Sequence, residues 1–204
     1  MRKWLFLGLW FVFSVSHAEF VSVDLNQTNA SFFKVVEQLK QQTHTQGQFT
    51  QNKYLRVLKR PLKSSGTFSQ STTSGVRWQI VKPITLTLLL TDSELVEVDS
   101  SGKETRKKIA DHPELHIFSS VFIAMISGVL EPISAQFDIG FEGNVEHWSI
   151  QLKPKSATIL AKIFSQIVLS GSGHIESIQM FEKKGDHTDI FFIMNPVTQV
   201  NGHD

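Results

Sequence analysis

Alternating apolar and polar positions dominate this chain, and they predict β-strands. The stretch 47–83 is typical of three strands in series, because turn-forming residues interrupt it twice and Pro83 closes it. Phe49, Phe68 and Trp78 are expected on one face of an antiparallel sheet. A sheet face that carries large aromatic side chains must be buried against another part of the molecule.

More strands follow the same pattern. In 84–91 every second residue is apolar, and these residues are expected to share one face: Ile84, Leu86, Leu88 and Leu90. Further strands are predicted over 95–98, 136–141, 145–152, 162–169, 174–182 and 189–194. About ten to eleven strands at this spacing indicate a mainly β fold, either an antiparallel barrel or a strongly curved sheet.

Two segments have helical periodicity. Asn29 or Ser31 can cap a helix that runs to about Thr43. Its predicted apolar face comprises Phe32, Phe33, Val35, Val36 and Leu39. The second helix lies between Pro113 and Gly128 and is apolar over most of its circumference. Such a helix is buried on more than one side, or it covers a cavity.

The first eighteen residues have the form of a secretory signal peptide. Arg2 and Lys3 precede an apolar run over 4–15, and Ala18 completes a cleavage site of small residues. A membrane anchor is the alternative, but the run is far shorter than the ~20 residues that span a bilayer. We therefore expect cleavage near Ala18 and a single domain over residues 19–204.

Charge and cysteine content narrow the function classes. The whole chain has 20 basic and 19 acidic residues, and loss of the leader removes two of the basic ones. A nearly neutral chain gives no global reason to expect nucleic-acid binding. The chain has no cysteine, which excludes disulfides, thiolate metal sites and cysteine nucleophiles. An exported protein of this kind fits the bacterial periplasm best.

Catalytic and metal motifs give little support for an enzyme. His112 and His116 are four apart, but Pro113 places His112 before the helix, so two exposed histidines are favoured over a metal site. Neither a zinc-protease motif nor a nucleophile elbow is present in the sequence. No catalytic residue, metal or cofactor is therefore predicted.

A basic cluster occupies the predicted hairpin turn of the first strands. It comprises Arg56, Lys59, Arg60 and Lys63. These side chains could contact anionic headgroups or a partner protein. The simpler alternative is a solvated hairpin, since exposed charges in a turn need no further explanation.

Short motifs follow the leader and the first helix in a recognisable order. They are Phe-Thr-Gln at 49–51, Gly-Thr-Phe at 66–68, Trp78, Pro83 and Leu-Lys-Pro-Lys at 152–155. In their order and spacing the chain resembles the LolA-like family of periplasmic carriers over about residues 31–194. The best-known member of that family carries lipoproteins from the inner to the outer membrane of Gram-negative bacteria.

The resemblance implies an incomplete antiparallel β-barrel, closed by helices, around an apolar cavity for acyl chains. Helix 113–128 would form part of its lid. The lipoprotein carrier has an arginine at the cavity rim where this sequence has Thr72, and Arg77 is expected to face the other way from Trp78. Segment 53–65 resembles divergent members, some of them associated with export of lipid-like molecules such as aryl polyene pigments. The implied cargo is thus a lipoprotein or another lipid-like molecule.

This interpretation assigns a ligand site. Phe118, Phe122 and Met125 of the lid are expected to compete with acyl chains for an apolar sheet face. That face comprises Phe49, Phe68, Trp78, Ile80, Leu86, Leu88 and Leu90. The alternative is that all of these residues form only a packed core.

Three function hypotheses follow. The first is a monomeric periplasmic carrier that takes acylated cargo from an inner-membrane donor complex to an outer-membrane acceptor. The second is a lipid-binding sensor or interaction module that acts on a partner protein through residues 56–63, without net transport. The third, an enzyme on the same scaffold, has the least support in the sequence.

Overall fold

Helix α1 (Ala30–Lys40) begins the described part of the chain. The computed structural model describes residues 29–42, 44–71, 75–127 and 130–195, without the side chains at 44, 113–115, 118, 125–127, 130 and 131. The predicted leader, 1–18, lies outside these residues. Asn29 caps α1 as predicted, since its Oδ1 accepts a hydrogen bond from the Phe32 amide at 3.1 Å. The helix ends at Lys40, earlier than predicted, because His44 already pairs with Ser71 in the sheet.

Eleven strands form the body of the protein. They are β1 (His44–Tyr54), β2 (Leu62–Ser71), β3 (Gly75–Lys82), β4 (Leu86–Leu90), β5 (Glu94–Val98), β6 (Glu104–Lys108), β7 (Phe137–Gly143), β8 (Trp148–Pro154), β9 (Phe164–Ser172), β10 (His174–Glu182) and β11 (His187–Met194). Their number agrees with the prediction.

Helical segments interrupt the strands at two places. Between β6 and β7 lie a 3₁₀ turn (Ile109–Asp111), α2 (Pro113–Ser127) and α3 (Leu130–Gln136), and α4 (Leu160–Ile163) precedes β9. The predicted helix between Pro113 and Gly128 corresponds to α2. None of the described helices has both the length and the apolar composition needed to cross a bilayer.

All strands belong to one antiparallel sheet in the order β6-β5-β4-β3-β2-β1-β11-β10-β9-β8-β7. Neighbours in the sheet are consecutive in the chain except at one seam, where β1 pairs with β11. Within the described residues β6 and β7 are the two edges, so the sheet does not close. This confirms the predicted mainly β fold, an incomplete barrel with helical elements.

The strand order explains why helices cover the inner face. The chain leaves the sheet at edge strand β6 and re-enters it at the opposite edge, β7. The connection between the two edges therefore crosses the open side of the curved sheet. We call this connection, 109–136, the strap; its helix α2 packs on α3, α1 and the 3₁₀ turn.

The strand register places the predicted aromatic and aliphatic residues on the inner face. Trp78 lies opposite Phe68 on β2 and opposite Leu88 on β4. Leu86 and Leu90 also point inward, since they pair with Ile80 and Val76. Across the seam Phe49 pairs with Phe192, which extends the same face into the other half of the sheet.

The helices fill the inner side of the sheet. Helix α1 buries four of its predicted apolar residues, namely Phe32, Val35, Val36 and Leu39. The expectation for Phe33 was wrong: its side chain is 36% exposed at the border of the buried stripe. Helix α2 buries Val121 and Ala124 in the main core, and Ile123 packs on a smaller cluster formed by Val76, Leu90 and Ile109. Thus α2 is buried on more than one side, as predicted.

Four predicted strands begin too early: residues 84–85 and 145–147 lie in turns, Gln136 ends α3, and residues 162–163 belong to α4. Ile84 is 70% exposed because the chain turns through 83–85 before β4 begins at Leu86. Val145 lies in a turn that Asn144 organises, since its Oδ1 accepts hydrogen bonds from the amides of Glu146 and His147 at 2.8 and 3.1 Å. Strand β8 consequently starts only at Trp148.

Candidate functional site

An aromatic cluster occupies the centre of the inner face. The rings of Phe49 and Trp78 stack at a centroid distance of 3.8 Å and an angle of 26°. Phe192 meets Phe68 and Trp78 edge-to-face, at 5.1 and 6.0 Å. Phe49 is 1% and Trp78 7% exposed. We call this cluster the aromatic floor; aromatic contacts of this geometry add to the energy of burial.

A cavity of about 240 Å³ lies beside this floor. Its lining residues come from both halves of the sheet and from the strap: Gln51, Val76, Trp78, Leu88, Leu90, Leu95, Phe122, Met180 and Ile190. Among these residues Gln51 is the one polar side chain. Ligand pockets commonly measure roughly 300–1,000 Å³, so this cavity would have to widen to accept a long-chain ligand.

Phe122 connects the strap to the floor of the cavity. Its ring meets Trp78 edge-to-face at a centroid distance of 6.0 Å and an angle of 75°. It packs against the main core and against the smaller cluster around Val76 and Leu90. Because α2 is held between the two edges of the sheet, movement of this helix would change the size of the cavity.

Polar groups lie near one end of the cavity. Gln51 faces Ser64 across the β1–β2 pair, and the buried Ser64 Oγ has no hydrogen-bond partner among the residues that the structure describes. Two residues beyond Gln51, Lys53 forms an ion pair with Glu182 at 3.0 Å. Both charged side chains are partly exposed, at 38% and 24%, so the pair contributes little to stability. Their position nevertheless makes this the polar end of the cavity.

The structure brings together part of the predicted ligand site. Trp78, Leu88, Leu90 and Phe122 line the cavity. The other predicted sheet residues lie on the same face but outside the lining: Phe49, Phe68, Ile80 and Leu86. The side chains of Phe118 and Met125, and all of Thr72, lie outside the described residues. Arg77 is exposed on the outer face, opposite in direction to Trp78, as expected.

Sequence reasoning missed five lining residues. Val76 and Leu95 continue the alternation of predicted strands and could have been found from it. Gln51 was overlooked because it is polar. Met180 and Ile190 belong to β10 and β11, and only the pairing of β11 with β1 brings them to the cavity.

The predicted basic cluster separates into two parts. Arg56 is fixed to the β10–β11 turn, since its amide donates to Asp186 Oδ1 at 2.9 Å and its guanidinium donates to the Lys184 carbonyl at 3.1 Å. Lys59, Arg60 and Lys63 are exposed. Arg56 therefore holds two hairpins together, which the sequence did not indicate.

The described part of the chain contains no cluster of metal-binding side chains. No group of three His, Asp or Glu side chains there is arranged to hold a metal ion. His112 and His116 are both exposed, and the two are joined by a backbone hydrogen bond at the start of α2.

The β5–β6 hairpin at one edge of the sheet holds two groups with shifted pKa values. Hydrogen bonds from the Ser101 hydroxyl and from the amides of Ser101 and Lys103 lower the pKa of Asp99. Hydrogen bonds and charge attraction from Glu104 and Glu94 raise the pKa of Arg106. Neither group lines the cavity, and the charges on β6 discourage pairing of this edge with another chain.

Comparison with solved structures finds similar chain paths at very low identity. A LolA superfamily protein from Nitrosomonas europaea aligns with 81% of this chain and 93% of its own, at 9% identity and a TM-score of 0.46. A DUF1329 family protein from Desulfovibrio piger aligns over 84% and 94%, at 9% identity and a TM-score of 0.43. A chain of the MucA/MucB complex of Pseudomonas aeruginosa aligns with 82% of this chain and 57% of its own length, at 11% identity and a TM-score of 0.43.

Comparison with curated proteins finds no significant match. Comparison with family sequence patterns finds one that extends over residues 26–193 and is described as outer membrane lipoprotein carrier protein LolA-like. The match covers α1, every strand of the sheet except the final residue of β11, and the strap with its cavity. The chain therefore belongs to the family of LolA-like outer membrane lipoprotein carrier proteins.

Proposed function

We propose that this protein is a periplasmic carrier that holds the acyl chains of a lipoprotein or lipid-like cargo and delivers them toward the outer membrane. The single observation that carries the proposal is the apolar cavity between the aromatic floor and Phe122. The family is one of carriers rather than of enzymes. Export with cleavage near Ala18, a single domain over 19–204, an inner-membrane donor and an outer-membrane acceptor belong to the same proposal.

The physical need for such a cavity follows from the solubility of acyl chains. Each methylene exposed to water is unfavourable by about 0.8 kcal/mol, so a long chain does not cross the periplasm unaided. A soluble carrier has to exclude water from the chain and still release it. A cavity partly filled by a side chain of its own meets both needs, because cargo displaces that side chain and the side chain returns on release.

In this mechanism Phe122 is the displaceable group. It fills the space above Trp78 when the carrier is empty, and an acyl chain takes its place when the strap moves outward. The sheet residues Leu88, Leu90, Met180 and Ile190 then contact the chain, while Gln51 marks the end at which a polar headgroup would lie. The predicted contributions of Phe118 and Met125 are part of this proposal.

A matched pair of substitutions on β4 tests whether the cavity is the ligand site. Leu88→Phe adds volume inside the cavity, whereas Leu89→Phe adds the same volume on the outer face. We expect L88F to weaken binding of a fluorescent fatty acid at least about tenfold, or roughly 1.4 kcal/mol, and L89F to leave it nearly unchanged. The measurement is a fluorescence titration of the exported protein. Absence of saturable binding to the wild type, or equal losses in both variants, would contradict the proposal.

Removal of the proposed displaceable ring should strengthen binding. In Phe122→Ala an acyl chain no longer has to displace the ring, so we expect the fatty-acid probe to bind about three- to tenfold more tightly, or roughly 0.7–1.4 kcal/mol. Phe33→Ala, on the half-exposed side of α1, is the control for loss of a phenyl ring. Weaker binding in F122A but not in F33A would mean that the Phe122 ring contacts the bound ligand and is not displaced by it.

A further inference from the structure

The strand directions bring five connections to one end of the sheet, those of β1–β2, β3–β4, β5–β6, β8–β9 and β10–β11. Residues 55–63, 81–85 and 183–186 connect or flank β1–β2, β3–β4 and β10–β11 at this end. Tyr54 pairs with His187, and Arg56 donates to Asp186, so the β1–β2 and β10–β11 connections touch. We call these three segments together the hairpin end. It lies beyond Lys53, at the polar end of the cavity.

The hairpin end exposes large aliphatic side chains. Val57 is 87% and Ile84 70% exposed. Leu58, Leu62 and Val81 are also exposed, at 45–53%. A single exposed aliphatic residue needs no explanation, but five at one end of a sheet are unusual, and such a concentration marks an interaction surface.

Cations surround these aliphatic side chains. Lys59, Arg60, Lys63 and Lys82 are exposed, and no salt bridge recorded within the described residues involves any of them. The one acidic residue of the hairpin end is Asp186, which accepts a hydrogen bond from the Arg56 amide. The opposite end of the sheet differs: its connections 91–93 and 144–147 contain Asp92 and Glu146 and neither lysine nor arginine.

The hairpin end is braced from within. The Arg56 guanidinium donates to the Lys184 carbonyl, and its side chain lies so close to Gly185 that a Cβ there would be 2.7 Å from Arg56 Cδ. Gly185 also has a φ of +87°, a conformation that favours glycine. This contact fixes the base of the β1–β2 connection, so Val57 and Leu58 are held outward rather than folded back onto the protein.

We propose that the hairpin end docks on the surface of an anionic lipid bilayer. Aliphatic side chains at the tip enter the headgroup region while neighbouring lysines and arginines contact lipid phosphates. A partner protein fits less well, because protein interfaces concentrate apolar residues in a core depleted of lysine, whereas here four of the five apolar residues adjoin a lysine or arginine in the sequence. Docking in this orientation places the polar end of the cavity nearest the membrane.

Vesicle sedimentation of the exported protein tests this proposal. We expect binding to vesicles of phosphatidylethanolamine and phosphatidylglycerol, weakening with added salt, and little binding to phosphatidylcholine vesicles. The double variants Val57→Ser/Leu58→Ser and Lys59→Glu/Arg60→Glu should each lose about tenfold or more in binding. The control Phe191→Ser/Ile193→Ser removes exposed apolar residues from the outer face of β11 and should retain wild-type binding.

Several results would overturn the proposal. They are failure to bind any vesicle, equal binding to anionic and neutral vesicles, and an equal loss of vesicle binding in the hairpin-end variants and in the β11 control. A different result would assign the hairpin end to a protein partner: the variants V57S/L58S and K59E/R60E, here called the tip variants, would bind vesicles normally but would no longer bind a membrane protein. Docking depends on the connections and not on the cavity, so the tip variants should titrate normally with the fluorescent fatty acid. Vesicle binding without fatty-acid binding would contradict the carrier function but not the docking proposal.

Discussion

Replacing Phe49 with alanine should lower the free energy of unfolding by about 3–5 kcal/mol. Phe49 is 1% exposed and stacks on Trp78 at 3.8 Å, so its removal leaves a void in the floor of the cavity. This loss is a large part of the roughly 5–15 kcal/mol that stabilises an ordinary domain. Urea denaturation followed by circular dichroism measures it.

The control for this change is Phe191→Ala, also in a central strand of the sheet. Phe191 is 45% exposed on the outer face of β11, beside the inward Phe192. Its replacement should change stability by no more than about 0.5 kcal/mol. Similar losses in the two variants would mean that the aromatic floor is not a special part of the core.

Gly66→Ala should also be poorly tolerated, with an expected loss in the free energy of unfolding of at least about 3 kcal/mol. Gly66 lies in β2 beside an irregularity in the pairing with β3, and a Cβ on it would come within 1.8 Å of the Gln79 carbonyl oxygen. Because the obstacle is backbone, no change of side-chain rotamer can relieve the clash. Denaturation midpoints, or the yield of folded protein when the variant is too unstable, measure the effect.

Gly173→Ala separates this clash from the ordinary cost of replacing glycine. Gly173 has a φ of +71°, and a Cβ there would meet no atom within 4 Å. Its replacement should therefore cost only about 1–2 kcal/mol, the penalty of the left-handed backbone conformation. If G66A lost no more stability than G173A, the backbones of β2 and β3 would have to move apart at Gly66 at little energetic cost.

The inner face of the sheet was predictable because a strand's two-residue period is a local property. Alternation alone places Trp78 and Leu88 on the same side once their strands are neighbours. The same reasoning failed at Ile84, where alternation continues through residues that in fact turn. It also assigned too wide an apolar face to α1, because periodicity gives the direction of a buried stripe more reliably than its width, and Phe33 lies at that border.

The cavity was only partly predictable because its lining depends on which strands pair. No local pattern indicates that β1 and β11 are neighbours, and this pairing is what brings Ile190 and Met180 toward Trp78. The bracing of Arg56 against Gly185 was hidden for the same reason, since two hairpins distant in sequence make that contact. Local patterns specify faces and turns, whereas sites between distant strands require the tertiary fold.

The seam between β1 and β11 also has a kinetic consequence. Each half of the sheet can grow by adding successive hairpins, whereas the seam joins segments near the two ends of the described chain. Closing so long a loop is entropically costly, so we expect the seam to form late and to limit the folding rate. The cavity draws its walls from both halves, and it does not exist until that step. If the protein acts as the proposed carrier, a chain that has not finished folding would therefore be unable to bind cargo.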